Sequence, residues 1–170
     1  IWEETILFYI QNEKYDEAHT ISRKAYKKFS GNYNIGLAHA KALLQVNAYE
    51  EVIAVLKDIQ ILPYEPASES RKVFEQSHIG AALKQFHGKD FDKAIEILEQ
   101  CRQWPENIGV GKPYNPDERM QNYLLALSYR LTNQSDKESV VLKEIIDYTS
   151  NTKERSSVNN LFSLLALKNL

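Results

Sequence analysis

The sequence predicts an all-α fold, a solenoid of antiparallel helix pairs. Three observations carry that expectation. First, one phrase, a polar turn followed by a helix, recurs along the chain: KYDEAHTISRKA at 14–25, AYEEVIAVLKDI at 48–59 and KDFDKAIEILEQC at 89–101, with a looser NQSDKESVVLKEI at 133–145. Apolar residues three and four apart give each copy one apolar helix face. Second, aligning the first two copies by their turns sets Ala18 against Val52, a period of 34 residues, which is the length of one helix–turn–helix unit in repeat architectures. Third, six Gly and five Pro are too few for a chain rich in tight β-turns. At 170 residues, with 43% apolar and 26% charged, the chain reads as one globular domain with a substantial core.

The elements follow in order. Trp2, Ile6, Leu7, Tyr9 and Ile10 space a first helix over 2–11, and Asn12–Lys14 interrupts it. Tyr15–Phe29 is its partner; acidic Asp16 and Glu17 at the start and Lys24, Lys27 and Lys28 near the end suit the helix dipole. Ser30-Gly31-Asn32 is a turn. The second pair spans Tyr33–Val46 and Tyr49–Ile61, and LPYEPASES at 62–70, with two prolines in four residues, stops the helix. The third pair is Ser70–His87 and Phe91–Gln103. Gly80, Ala81 and Ala82 keep one side of its first helix small, so another helix can approach closely. WPENIGVGKPYNP at 104–116 is the least helical stretch, and loops of this length inside a compact domain are often functional. The fourth pair is Asp117–Leu131 and Asp136–Thr149. Glu138 stands where the other copies carry a small or apolar residue, so looser packing is expected there. Last, Ser156–Lys168, apolar at Leu161, Phe162, Leu164, Leu165 and Leu167, reads as the first helix of a pair without its mate, which caps the array, continues into further chain or offers a face for a second copy. The domain organisation is thus a single repeat domain over 1–170, with pairs at about 1–30, 33–62, 70–103 and 117–150 and a terminal helix at 156–168.

In the first copy Trp2, Ile6, Tyr9, Ala18 and Ala25 fall where the tetratricopeptide repeat places a large residue, a small residue, Tyr, Ala and Ala. The chain resembles that family. Two residues depart from the pattern: Ile6 is bulkier than usual, and Ser22 replaces an aromatic. The resemblance implies a right-handed superhelix with an apolar concave groove lined by the first helix of each pair. Candidate groove residues are Leu37, Lys41, Ile79, Leu83, Tyr123, Leu127 and Arg130, with Lys41 and Arg130 supplying orientation. The Lys and Asn arrangement with which some members clamp a C-terminal carboxylate is not present.

Composition and motifs weigh against catalysis. Net charge is −2, from 21 basic and 23 acidic residues, which leaves no basic stripe for nucleic acid and no polybasic membrane patch. No apolar run is long enough for a transmembrane span. The single Cys101 excludes an intrachain disulfide and a thiolate zinc cluster, and its place on an apolar helix face makes it a core residue. Gly109-Val110-Gly111-Lys112 lacks the spacing, preceding strand and following Ser or Thr of a phosphate-binding loop. His19, His39, His78 and His87 are scattered, without metal-ligand spacing, so neither a metal nor a cofactor is implied. The carboxylate pairs Glu3-Glu4, Glu50-Glu51 and Asp117-Glu118 lie at helix starts, where they stabilise free amides.

PENIGVGKPYN, followed by the helical NYLLALSYRL, resembles the C-terminal repeat region of a bacterial family of uncharacterised proteins, over roughly residues 90–135. There the repeats follow a β-rich domain similar to sugar mutarotases. That resemblance, with a first residue other than Met, implies a fragment of a longer protein. Within the loop, Asn107, Lys112 and Tyr114 are the candidate contacts, against the alternative that it is a structural plug covering the end of a helix pair. Two functions are expected: a non-catalytic protein-interaction or domain-docking scaffold, or the C-terminal accessory region of a carbohydrate-active enzyme, packing on an upstream domain. The expected partner is a protein or peptide segment or that upstream domain, with a homodimer through the terminal helix as a third arrangement.

Overall fold

The recurrent phrases fold as helical hairpins that all close in one way. In the computed structural model, which describes residues 1–63, 68–152 and 157–169, the chain forms α1 (Trp2–Gln11), α2 (Tyr15–Lys28), α3 (Tyr33–Gln45), α4 (Tyr49–Asp58), α5 (Ser68–His87), α6 (Phe91–Cys101), α7 (Arg119–Leu131), α8 (Ser135–Asn151) and α9 (Asn160–Leu167), with a 3-10 turn at Glu106–Ile108. After α1, α3, α5 and α7 the backbone turns left-handed at Glu13, Asn47, Lys89 and Asn133, with φ of 58, 57, 63 and 58°. In each case that residue's N–H donates to the carbonyl three residues back. The next N–H donates to the carbonyl five back, on Tyr9, Leu43, Gln85 and Tyr129. These bonds satisfy carbonyls that a helix end otherwise leaves bare. Two of the four left-handed residues are Asn, which takes this conformation most readily after Gly; Glu13 and Lys89 carry a steric cost of about 1–2 kcal/mol each.

So short a connection brings the next helix back along the first. It also fixes which residues meet. Seven positions before the left-handed residue stand Ile6, Ala40, Ala82 and Ala126, all 0–2% exposed. Five positions after it stand Ala18, Val52 and Ala94, each fully buried. The fourth hairpin carries Glu138 there, and Arg130 of α7 donates two hydrogen bonds to its carboxylate. α8 nevertheless buries Val141, Leu142 and Ile145.

Contacts divide the chain into two compact units, Ile1–Ala81 with Trp104–Gly111, and Ala82–Gln103 with Lys112–Leu170. In unit one α1, α2, α3 and α4 pack in succession, and α1 also meets α3. Ile6, Ala18, Ala25, Ile35, Ala38 and Ala42 form one core cluster. Leu43, Val52, Leu56, Ile59, Ile61, Val73, Phe74 and Ile108 belong to another. Helix α3 is buried on nearly every side, from Ile35 through Ala40 and again at Ala42 and Leu43. In unit two α6, α7, α8 and α9 pack in succession, and α9 also meets α7. Ile97, Leu98, Cys101, Leu125, Tyr129, Leu142, Ile145 and Ala166 are buried there.

Several boundaries differ from the sequence expectation, each for a local reason. Helix α4 ends at Asp58 rather than Ile61, because residues 104–111 satisfy the backbone beyond it. The Asn107 amide donates to the carbonyls of Leu56 and Ile59, at 2.8 and 2.9 Å. The Ile61 N–H donates to the Asn107 carbonyl, and the Ser70 hydroxyl to that of Ile108. Ile108 is fully buried. This half of the loop therefore covers the end of α4. Gly109 closes it in a left-handed conformation, φ 74°, where a Cβ would lie 2.9 Å from the Ile61 carbonyl oxygen. The terminal helix α9 packs on both α7 and α8, and among the described residues no further helix follows it. The middle of the 62–70 interruption and the expected start of the terminal helix at Ser156 lie outside the described residues. Among the described residues no helix is long and apolar enough to cross a membrane.

Two histidines are buried in unit one. Burial pushes His39 down to about 4, with His19 and Arg23 adding to the effect; its ring stacks on Tyr26 and its Nδ1 lies 2.9 Å from the Ser22 hydroxyl. Burial likewise pushes His78 to about 4, although its Nδ1 donates to the Phe74 carbonyl at 2.7 Å. The unfolded chain binds these protons near the ordinary value of about 6.5. Stability from keeping both rings neutral is therefore complete above that pH and declines as pH falls from about 6.5 toward 4. Urea midpoints should drop over that window, and His39→Gln and His78→Gln should each flatten the decline. An unchanged midpoint from pH 7 to 4 would contradict the assignment. Separately, Gly109→Ala should cost about 1–2 kcal/mol or more from its backbone conformation alone. Gly111→Ala, where a Cβ meets nothing within 4 Å, should be close to neutral in the same titration.

Candidate functional site

The residues expected to line a groove divide between the units. Leu37, Lys41 and Ile79 belong to unit one, and Leu83, Tyr123, Leu127 and Arg130 to unit two. Leu37 is 7% exposed and lies in a core cluster, as the burial of α3 on most sides requires. The Lys41 ammonium pairs with Glu69 at the start of α5, and Ile79 is half-buried. In unit two Leu83 is 39% exposed and Leu127 half-buried. Tyr123 meets Phe162 of α9, ring centroids 5.7 Å apart. Arg130 donates to Asn169, just beyond α9, as well as to Glu138. The terminal helix thus lies against the side of α7 that carries Tyr123 and Arg130. On its outer side Leu161, Leu164 and Leu167 stay 55, 61 and 60% exposed.

The loop residues also separate. Asn107 caps α4, as described. Lys112 and Tyr114 belong to unit two, where with Arg102, Glu118, Arg119, Asn122, Glu144 and Tyr148 they line a cavity of about 390 Å³. Its wall is held by Arg119, the first residue of α7 and only 2% exposed. Arg119 Nε and Nη2 make paired bonds to the two oxygens of Asp117, at 2.8 and 2.7 Å. Nη1 donates to Thr149 and Asn160, and Nη2 to Ser157. The guanidinium lies 4.8 Å from the Tyr148 ring centre. One side chain therefore ties the loop to α8, to α9 and to the residues just before α9. Burial would raise the Asp117 carboxyl, but hydrogen bonds from Arg119 and Asn159 outweigh it and hold the group below the ordinary carboxylate range.

Nearby, Arg102 donates to Glu118 at 3.3 Å and to Glu144 at 3.2 Å. The Asn122 amide also donates to Glu144, at 3.0 Å. Two oxygens of these lining residues, Glu118 Oε1 and Asn122 Oδ1, are closed off from solvent and receive no hydrogen bond within the protein. Sequence reading took Asp117-Glu118 as dipole-stabilising carboxylates and overlooked Arg119. The available signal was an Arg two residues after an Asp at a helix start, a spacing that permits a paired contact. Among the described residues no group of three or more His, Cys, Asp or Glu side chains is placed to hold a metal. Comparison of the chain with protein-family models, with curated proteins and with solved structures gives no match.

Arg119→Met should destabilise the protein by about 3–5 kcal/mol, because it leaves the Asp117 charge partly buried without its partner. Arg119→Lys should recover less than half of that, since an ammonium cannot reproduce the paired fork. Guanidinium denaturation measures both, and a loss under about 1 kcal/mol for Arg119→Met would refute the central role given to this side chain.

Proposed function

We propose that the chain is a non-catalytic protein-interaction or domain-docking module built from tetratricopeptide-like hairpins, which takes up an apolar segment of its partner. The observation that supports it most is the amount of large apolar side chain left open around well-packed helices. The outer row Leu161, Leu164 and Leu167 of α9 and Leu83 of α5 are 39–61% exposed, while the inner residues Ser163 and Ala166 of α9 are buried. A row of exposed leucines along one helix face, as on α9, is what a docking surface needs. The identical closure of four hairpins supports the repeat type. Packing on an upstream sugar-processing domain would be one case of the same role, with the partner in the same polypeptide.

A peptide-display selection on the folded protein should enrich sequences with apolar residues three and four apart. The double variants Leu83→Glu with Leu127→Glu, and Leu161→Glu with Leu164→Glu, locate the surface. One of them should weaken a selected peptide at least tenfold, about 1.4 kcal/mol. No enrichment, or affinity unchanged in both variants, would overturn the proposal. A dimer in sedimentation equilibrium that Leu164→Glu dissolves would assign the α9 row to self-association instead.

A further inference from the structure

The last two turns of α2 carry more positive charge than the helix itself can use. Arg23, Lys24, Lys27 and Lys28 are all exposed, and at about 100° per residue they fall within an arc of about 140°. Ala18, Ser22 and Ala25, which α2 buries, centre on the opposite side. Basic residues in a last turn suit the helix dipole, but elsewhere among the described helices a last turn holds at most one Lys or Arg. Here Arg23 and Lys27 are four residues apart, as are Lys24 and Lys28, and Lys24 and Lys27 are three apart. Like charges at these spacings face each other on the helix surface and destabilise it.

Among the described residues none of these four cations forms an ion pair, whereas Arg71, Arg102, Arg119 and Arg130 each pair with a carboxylate. Arg23 Nη2 meets His19 Nε2 at 3.1 Å, and the Lys28 ammonium lies 5.3 Å from the centre of the Phe29 ring. Neither contact brings a negative charge. Asp16 and Glu17 stand in the first turn of α2, about 10 Å along the axis from Arg23 and Lys24, a distance at which salt screens exposed charges. Burial and Asp58 push the adjoining Tyr26 hydroxyl up, but Asp58 is in no ion pair with the four. The repulsion along this face is left uncompensated within the protein.

Size and charge narrow the class of partner. Arg23 to Lys28 spans about 8 Å of the helix axis, and nucleic-acid partners typically engage on the order of 6–10 phosphates, more than four cations can meet. The net charge is −2, of which these residues contribute +4, so the rest of the chain carries −6 and repels extended polyanions and anionic bilayers. A short run of carboxylates fits both limits. We infer that this face of α2 docks a short acidic segment of a protein partner, its Asp and Glu carboxylates lying against Arg23, Lys24, Lys27 and Lys28. The inference does not rest on the docking of an apolar segment, since its residues are distinct from the exposed leucines and either surface can fail its test without the other.

The test is a titration of the full chain with a terminally blocked peptide of alternating Glu and Asp, followed by the backbone amide NMR signals of residues 19–29. Saturable shifts centred on 23–28 are expected, and a peptide with Gln and Asn in place of the acids should produce none. Raising the salt from about 0.01 M to about 0.15 M should weaken binding at least threefold. Lys24→Gln should weaken it about threefold, and Arg23→Gln with Lys27→Gln at least tenfold, while Lys143→Gln on α8 leaves it unchanged. Lys24→Gln should not lower the urea midpoint, because it removes a charge that Lys27 and Lys28 repel; a residue kept for structure alone would lower it. Three results would overturn the inference: no saturable shift up to 10 mM peptide; equal weakening by Lys24→Gln and Lys143→Gln; or a stronger response to phosphatidylserine vesicles or to oligothymidine than to the acidic peptide.

Discussion

The structure depends on one constraint, the tightness of the hairpin turn. Three residues join each pair of helices, the middle one left-handed, and two backbone hydrogen bonds hold that geometry in all four copies. Once the turn is fixed, the helices must cross at a set distance from it. The residues seven before and five after the left-handed position then have to be compact or already fitted to one another. Ala40 opposite Val52, and Ala82 and Ala94, meet that need with small or branched side chains that are fully or almost fully buried. Ile6 is larger, and Ala18 is its small counterpart in the same cluster. This is volume compensation across a crossing rather than strict residue identity, which is how cores tolerate substitution. The fourth copy solves the problem by charge. Glu138 keeps its acidic head only 13% exposed by pairing with Arg130 from the facing helix.

The same constraint explains what the sequence made legible. Hairpin positions and helix identities follow from spacing alone, because turn, crossing and apolar face are all local. The covering of α4 by residues 104–111 was readable only as one of two alternatives. Its decisive contacts join Asn107 to Leu56 and Ile59, 51 and 48 residues away, and no periodicity encodes them. The place of α9 was less legible still. Its leucines read as a capping helix with no following partner, but where it caps is set by the polar residues around them: Asn160, Ser157 and Asn169 are held by Arg119 and Arg130. Leu37 shows the opposite error of scale. Its position faces outward in an idealised pair, but α3 has α1, α2 and α4 around it, and a helix surrounded in this way has no free side to offer.

The two units use different means to fix their ends. In unit one the connection after α4 is secured by backbone groups: an amide side chain caps two carbonyls, and a glycine allows the chain to pass within contact distance of the Ile61 carbonyl. Such a closure is sequence-specific at Asn107 and Gly109 and indifferent at Gly111. In unit two the ends are secured by a single buried guanidinium that makes five hydrogen bonds to four polar residues. A buried charge network of this kind contributes little net stability over an apolar alternative, yet it specifies geometry strongly, because every donor has a directed partner. That distinction matters for function. An apolar plug would close the space beside α7, whereas a planar, directional network holds its surroundings apart and leaves a polar cavity between loop and helix.

The orphaned oxygens of Glu118 and Asn122 follow from that arrangement. Arg102 reaches Glu118 through only one oxygen, since its remaining donors are drawn to Glu144 and toward Glu99. Asn122 turns its amide hydrogens to Glu144 as well, which leaves its carbonyl oxygen on the opposite side. Glu144 thus draws donors from two residues and deprives the neighbouring acceptors of them. Fully satisfied buried polar groups are the rule in folded proteins, and each exception needs its own physical reason. Both oxygens are closed off from solvent, so the shortfall is a local cost of a network whose geometry is set by the donors that Glu144 draws to itself.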